Sequence, residues 1–343
     1  MKKWKLVLLF WGFVGMLHIN VEGQDLHFSQ FFNSPLTTNP ANTGFLPDAD
    51  FRVGAHYREQ WASVPVPYKT QSIYGDAQVF RDRFETGWIG LGGVLMRDVA
   101  GSGNLTSTKF YLSAAYHQML GNTGLLSAGF NTGLSSKRVD IAKFTFDNQW
   151  NGKFFDIQTP SGETFAANSM NYLDVQIGLN YAWFPSDKMY MHTGFSVQHV
   201  NKPSETFFTQ TPGYSSQISP RYIYFADAVI KVHENWILTP TTYFSSQANA
   251  TEFMLGMHAN LNISQHGEQQ LIAGMYYRGG DAFIPMVGYQ WQNFRFTFSY
   301  DATTSALKNY NNKNGASEMY LQYNGSYQTY NGEIRQSLCP SFR

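Results

Sequence analysis

An all-β fold, a transmembrane antiparallel β-barrel of about 14 strands with a short N-terminal extension, is the class that this 343-residue sequence predicts. Three observations predict it. Apolar and polar residues alternate in segment after segment, an export signal opens the chain, and only 14% of residues are charged while 17% are aromatic. A strand turns successive side chains to opposite faces, so an alternating segment is greasy on one side and wet on the other. Ordinary soluble domains carry roughly 25% charged residues. A mean hydropathy of −0.32 beside so little charge suits a barrel whose wet interior lowers the average while aromatic girdles mark both membrane interfaces.

Residues 1–23 have the form of a secretory signal peptide. Lys2, Lys3 and Lys5 precede an apolar run from Leu6 to Leu17, and Val21 and Gly23 suit the small-residue positions before cleavage at Gln24. The apolar run is short for a spanning helix. Without these residues the chain keeps 21 basic and 23 acidic side chains, a net of −2. That is no footprint for nucleic acid, which calls for a basic excess on one face. Cys339 is the sole cysteine, which excludes an internal disulfide framework and any multi-cysteine metal site.

Residues 24–50 carry no sustained alternation. Pro35, Pro40 and Pro47, with several Asn and Thr, punctuate turns instead of building ladders. Phe28, Phe31 and Phe32 call for burial, so this extension is expected to tuck into or against the barrel mouth as a candidate plug.

The barrel is expected over 51–343, with strands near 51–61, 69–80, 87–98, 106–119, 124–137, 170–184, 188–200, 219–232, 235–246, 251–263, 269–278, 282–291, 293–303 and 317–327. Each is long enough for a tilted spanning strand of about 9–11 residues. In 293–303, Phe294, Phe296, Phe298 and Tyr300 share one face, and Arg295, Thr297, Ser299 and Asp301 the other. In 170–182, Tyr172, Val175, Ile177, Leu179 and Tyr181 are set against Asp174, Gln176, Gly178 and Asn180. Alternation is good in 251–263 and poor in 87–98, where both faces are apolar or glycine. The long connections 138–169, 201–218 and 304–316 fall on one end by strand parity, and long loops face outward in such barrels. Within the longest, Trp150, Phe154 and Phe155 are candidate partner-binding aromatics, because exposed aromatics are typical anchors; the alternative is that they fold back over the barrel mouth.

No catalytic signature is visible, and no enzyme, cofactor or metal is expected. No G-x-S-x-G elbow, P-loop or dinucleotide fingerprint occurs. His233-Glu234 begins like a zincin motif, but Ile237 stands at the position of the second histidine. A lipid hydrolase assembled from separate strands would leave no spacing signal.

Four blocks in order resemble one family. HFSQFFNSPLTTNPANTG (27–44) is similar to the F-S-Q-x-x-x-x-P-L-x-x-N-P-A-x-x-G block of the PorP/SprF family of type IX secretion system membrane proteins. YREQW (57–61) resembles its Y-R-x-Q-W box, YRGGDAFIPMVGYQW (277–291) with FSYDATTSAL (298–307) its Y-R-x-x-D-A and S-Y-D-x-T-x-S-x-L region, and SEMYLQY (317–323) its closing strand. Ala316 and Ser317 stand where the family pattern has Ser-His. The matched positions are Phe28, Ser29, Gln30, Asn39, Pro40, Tyr57, Arg58, Gln60, Trp61, Tyr277, Arg278, Asp281, Tyr300 and Asp301. The resemblance implies a non-catalytic barrel in a bacterial outer membrane, supporting secretion or surface anchoring of large adhesins of the gliding type. Implied partners are the adhesin's C-terminal domain, other type IX components such as periplasmic lipoproteins, and outer-membrane lipid. The alternative is a 14-stranded outer-membrane channel for hydrophobic small molecules, with residues 24–50 as its hatch.

Parity puts Arg58 and Gln60 on the polar face of the first strand with Arg52 and His56, and Tyr57 and Trp61 on the lipid face. A buried arginine calls for a carboxylate, and Asp76, Asp281 and Asp301 are the candidates.

Overall fold

The computed structural model describes residues 26–327 except 64–65, 85, 157, 164, 209–215 and 265–266. The signal segment 1–23 and Cys339 lie outside the described residues. Fourteen strands follow one another around a closed barrel, each antiparallel to its neighbours, and β1 pairs with β14 to close the ring. They are β1 Phe51–Gln60, β2 Tyr68–Val79, β3 Gly87–Ala100, β4 Leu105–Leu120, β5 Gly124–Arg138, β6 Ser169–Ser186, β7 Met189–Gln198, β8 Arg221–His233, β9 Trp236–Gln247, β10 Ala250–Asn262, β11 Gln269–Arg278, β12 Ala282–Trp291, β13 Phe294–Thr303 and β14 Asn314–Gly325. Closure leaves no unpaired edge, which is the condition for strands to cross a bilayer.

Alternation decides which face looks out. On β13, Phe294 and Phe296 are exposed while Thr297, Ser299 and Asp301 are buried. Leu112, midway along β4, is 57% exposed, as a lipid-facing leucine should be. Leu112→Arg is expected to cost the barrel about 2–4 kcal/mol, the penalty for a lipid-facing cation near the midplane. Urea titration of the detergent-folded protein, followed by loss of its heat-modifiable gel mobility, measures it.

Two departures from simple parity have local causes. Tyr172 lies on the same inward parity as Asp174, not with Val175; it is buried and donates its hydroxyl to Glu205 at 2.9 Å. β14 begins at Asn314, three residues ahead of the expected 317, because the pairing with β13 slips between Asp301 and Ala302 and carries the ladder across Gly315. A Cβ on Gly315 would lie 2.3 Å from the Asp301 carbonyl oxygen, so a glycine permits that bulge.

Residues 26–50 run inside the barrel. Three short helical turns, Phe31–Asn33, Pro35–Thr38 and Pro40–Asn42, make up most of the path. Ser29 and Gln30 meet Glu318, early in β14, and Gly44 meets Asp76, late in β2. The segment therefore descends from the long-loop end to the short-turn end, where the Asp50 amide donates to the Gly325 carbonyl at 2.8 Å and β1 begins.

Short helical turns leave carbonyls without intrahelical partners, and inward polar side chains of the wall satisfy them one by one. His56 donates to the Asn33 carbonyl, Asn131 to Leu36, Gln198 to Thr37, Ser196 to Thr38, His117 to Thr43 and Trp88 to Gly44, at 2.6–2.9 Å. The remaining inner face is not the uniformly wet surface that alternation alone suggests. Phe31 packs with Ile223, Phe225, Met254, Ile272 and Ile284. Phe28 and Leu36 pack with Tyr74, Val94 and Tyr111, and Phe45 with Trp88 and Leu125. The interior is thus a protein core of polar and apolar sectors, each matched to the segment it encloses.

Poor alternation in β3 follows from the same packing. Its inward parity holds Trp88, Gly90, Gly92 and Val94, and a Cβ on Gly90 would come within 1.8 Å of the Thr43 carbonyl oxygen. The inner segment presses directly on this strand's backbone, so glycine replaces the polar residues found elsewhere.

Candidate functional site

The upper lumen, toward the long-loop end, holds a buried charge cluster built around Ser29 and Gln30. Their consecutive amides both donate to one carboxylate, Ser29 to Glu318 Oε2 and Gln30 to Glu318 Oε1, each at 2.9 Å. Ser29 Oγ donates to Asp301 Oδ2 at 2.8 Å and accepts from Arg58 Nη1 at 2.5 Å and Arg278 Nη2 at 2.6 Å. Two guanidinium groups and a carboxylate on one hydroxyl are charge-assisted contacts, the strong kind. Gln30 reads the inner face of β13, donating to Ser299 Oγ at 2.9 Å and accepting from Thr297 Oγ1 at 2.5 Å.

The ring of charges continues around the wall. Arg58 reaches Asp301 and Glu318, each at 3.1 Å, and stands directly opposite Glu318 across the β1–β14 pairing. Arg278 meets Glu252 at 3.1 Å, Asp281 at 3.0 Å and Asp301 at 3.1 Å. Arg221 lies 3.7 Å from Glu252 and donates to the Leu26 carbonyl at 3.2 Å. His27 of the inner segment sits 3.4 Å from Glu252. Every strong charge here has an opposite partner, which is the condition for burying it at all. Phe28 roofs the cluster against His56, with ring centroids 4.6 Å apart.

Lower in the lumen a second lock engages. Asn39, fully buried, donates to the Leu179 carbonyl at 3.1 Å, Asn180 Oδ1 at 2.7 Å and the Phe195 carbonyl at 3.1 Å, and accepts from the Ala41 amide at 2.8 Å. Pro40 then opens the third helical turn, and its fixed φ and missing N–H suit a first-turn position.

The residues singled out from the sequence divide into three groups. Phe28, Ser29, Gln30, Arg58, Arg278, Asp281 and Asp301 come together at the charge cluster. Asn39 and Pro40 form the lower lock. Tyr57, Tyr277 and Tyr300 lie on the outward parity of their strands; Tyr277 accepts from the Gly280 amide and Tyr300 donates to Asn314. Gln60, half-buried, ends β1 and takes no part in the cluster. Trp61 follows it at a left-handed φ of 57° and packs on Tyr68 at 5.1 Å. Of the three carboxylates offered for Arg58, Asp301 pairs with it, Asp76 pairs with Arg52 at 2.8 Å, and Asp281 pairs with Arg278.

Sequence reasoning missed Glu318, His56 as a ligand of the inner segment, Arg221 and Glu252. Glu252 was detectable in principle. It is the only charged residue on the inward parity of β10, and a lone acid on a lumen face implies a cation nearby.

On the long β5–β6 loop, Trp150 and Phe155 bridge as a small hairpin with rings 5.1 Å apart. Asn151 Oδ1 closes its tip by accepting from the amides of Lys153 and Phe154, both at 3.0 Å. Trp150, Phe154 and Phe155 stay largely exposed, Phe154 at 59%. Among the described residues no group of His, Cys, Asp and Glu is placed to hold a metal ion, and no helix is long and apolar enough to cross a membrane.

Among solved structures, the barrel is similar to a FadL homologue from Pseudomonas aeruginosa, at 10% identity and a TM-score of 0.49, covering 85% of this chain and 94% of that one. It is similar to the toluene transporter TodX of Pseudomonas putida at 10% identity and a TM-score of 0.49, covering 86% and 94%. The translocator domain of the autotransporter NalP from Neisseria meningitidis matches at 13% identity and a TM-score of 0.41, covering 80% and 88%. No curated protein matches the sequence. The family model described as type IX secretion system membrane protein PorP/SprF matches residues 20–323, and the chain belongs to that family.

Proposed function

We propose that this outer-membrane barrel is a non-catalytic anchor of the type IX secretion system that holds large secreted adhesins, including gliding adhesins, at the cell surface after its signal peptide is removed. The observation that carries the reading is the filled lumen. A barrel whose inner segment is bonded to strands all around its wall presents its outer loops as the surface open to a large partner. The Trp150–Phe155 hairpin is the part of that surface best suited to grip a partner. Its aromatics are exposed, while its backbone is held by the Asn151 and Gln149 hydrogen bonds, so little ordering entropy is lost on docking. We assign the C-terminal domain of a secreted adhesin as its partner.

Affinity isolation of the intact barrel in mild detergent, followed by identification of co-purifying proteins, tests the assignment. A large secreted protein should be recovered through its C-terminal domain. The triple variant Trp150→Ala, Phe154→Ala, Phe155→Ala should reduce that recovery at least tenfold while the barrel stays folded. Recovery of the parent barrel alone would reject the role. A channel for hydrophobic small molecules is less well supported, because the apolar wall it would use, around Ile223, Phe225 and Ile284, is occupied by Phe31 with Phe32 packed against it.

A further inference from the structure

Beside the inner segment, toward the short-turn end, the lumen holds a cavity of about 280 Å³. Tyr190, at the start of β7, and Asn324, at the end of β14, are among its lining residues, so it opens at the face opposite the long loops. Its wall carries a belt of side chains in cross-strand register. Asn260 donates to Gln270 at 2.9 Å, Gln270 stands opposite Gln290, Gln290 opposite Arg295, and Arg295 opposite Gln322. Gln322 donates to Asn324 at 2.6 Å, and Asn324 stands opposite Arg52.

The two arginines of this belt differ in one respect. Arg52 is held by Asp76 in a fork of two hydrogen bonds, 2.9 and 2.8 Å. Arg295 donates through Nε to Gln290 Oε1 at 3.2 Å, and no carboxylate among the described residues forms an ion pair with it. Among the described residues neither of its terminal nitrogens makes a hydrogen bond, and Arg295 lines the cavity together with Asp48. A guanidinium fork matches a carboxylate in two parallel hydrogen bonds. Elsewhere on the cavity wall two buried atoms lack hydrogen-bond partners, His192 Nε2 and Asn260 Oδ1. His192 has its Nδ1 beside Asp227 Oδ1 at 3.2 Å. With the proton on Nδ1 donated to that carboxylate, Nε2 is an acceptor, as Asn260 Oδ1 is. The cavity wall therefore holds a guanidinium without a carboxylate partner and, on other strands, two buried acceptor atoms without donors. Asp48 and Asp227 also line it and disfavour a ligand of high negative charge.

We propose that this vestibule binds the carboxylate-terminated end of a peptide entering from the short-turn side, with Arg295 gripping the carboxylate and Asn260 and His192 accepting from its amides. A simple anion would use the fork and leave the acceptors unpaired, so the acceptor pair favours peptide over acetate or phosphate.

The test uses the full-length barrel folded in detergent and titrated by calorimetry with N-acetyl-trialanine, its C-terminal amide, and sodium acetate. The free acid is expected to bind at least tenfold more tightly than either the amide or acetate. Arg295→Gln is expected to lower affinity for the acid at least tenfold and to leave the amide unchanged, with Arg295→Lys between. Heat-modifiable mobility confirms that each variant keeps its fold. Equal binding of acid and amide, or an Arg295→Gln variant that binds as the parent does, overturns the carboxylate grip. Acetate binding as tightly as the peptide overturns the peptide assignment.

Discussion

Glu318→Ala is expected to free the top of the inner segment and turn a closed barrel into a conducting one. The carboxylate accepts from two successive amides, Ser29 and Gln30, and pairs with Arg58. Alanine removes these contacts at once, with the approach of His56 Nδ1 at 3.6 Å, inside a water-poor space and leaves a guanidinium short of one of its two carboxylates. Breaking a buried pair by deleting one partner costs about 3–5 kcal/mol. The orphaned amides add about 1–3 kcal/mol each where water cannot reach them. The lost Arg58–Glu318 pair is a cost to the seam of the wall, which β1 and β14 withstand because their backbones still pair along the whole ladder. The lost amide acceptor is a cost to the seating of the segment, which has no such ladder to hold it. Single-channel recording in planar bilayers should show openings absent from the parent, with unchanged heat-modifiable mobility. Arg58→Ala should act in the same direction but less, since Arg278 still neutralises Asp301. Conductance identical to the parent in both variants would mean that the cluster does not hold the segment.

Gly178→Val attacks the lower lock by volume instead of charge. A Cβ at this position would stand 1.9 Å from Asn39 Oδ1, 2.8 Å from its Cγ and 3.0 Å from Pro40 Cδ. Asn39 cannot retreat without surrendering three acceptors on β6 and β7. Overpacking costs about 1–3 kcal/mol and each lost hydrogen bond about 1 kcal/mol, a total comparable with the upper-cluster variants. Amide hydrogen exchange across residues 39–43 should accelerate by roughly two orders of magnitude, while that of β5 and β6 stays slow. Leu179→Val, one residue along on the lipid face, is the control and should change neither. Unaltered protection of residues 39–43 in Gly178→Val would show that the segment tolerates displacement there.

Strand positions were legible because a two-residue period survives without any knowledge of partners. In β12 and β11 the expected bounds, 282–291 and 269–278, coincide with those observed. Legibility failed where the inner segment intrudes. β3 looks patternless in isolation because Gly90 meets the Thr43 backbone and Gly92 the Leu36 side chain of the inner segment, contacts no local window contains. Asp301 was readable as a partner of Arg58 from the demand of a buried cation. Glu318 was not singled out, although parity puts it on the inner face with Tyr320 and Gln322. Its role depends on β14 closing against β1, a pairing of residues 260 positions apart. The start of β14 was missed for a related reason, since the bulge at Gly315 is set by β13 and not by the strand's own pattern. The charge cluster itself was half visible, its family-matched residues named but their convergence on one hydroxyl hidden until the ring was drawn.

The joint of the ring falls between the oldest and the youngest strand of the chain, and the youngest brings Glu318 with it. A segment synthesised before any wall exists thus finds its main acceptor only when the last staves arrive. Zipping up the seam and capturing the Ser29–Gln30 turn become one event. A damaged turn at Ser29 should therefore show itself in slower closure of the seam as well as in a leaky finished product.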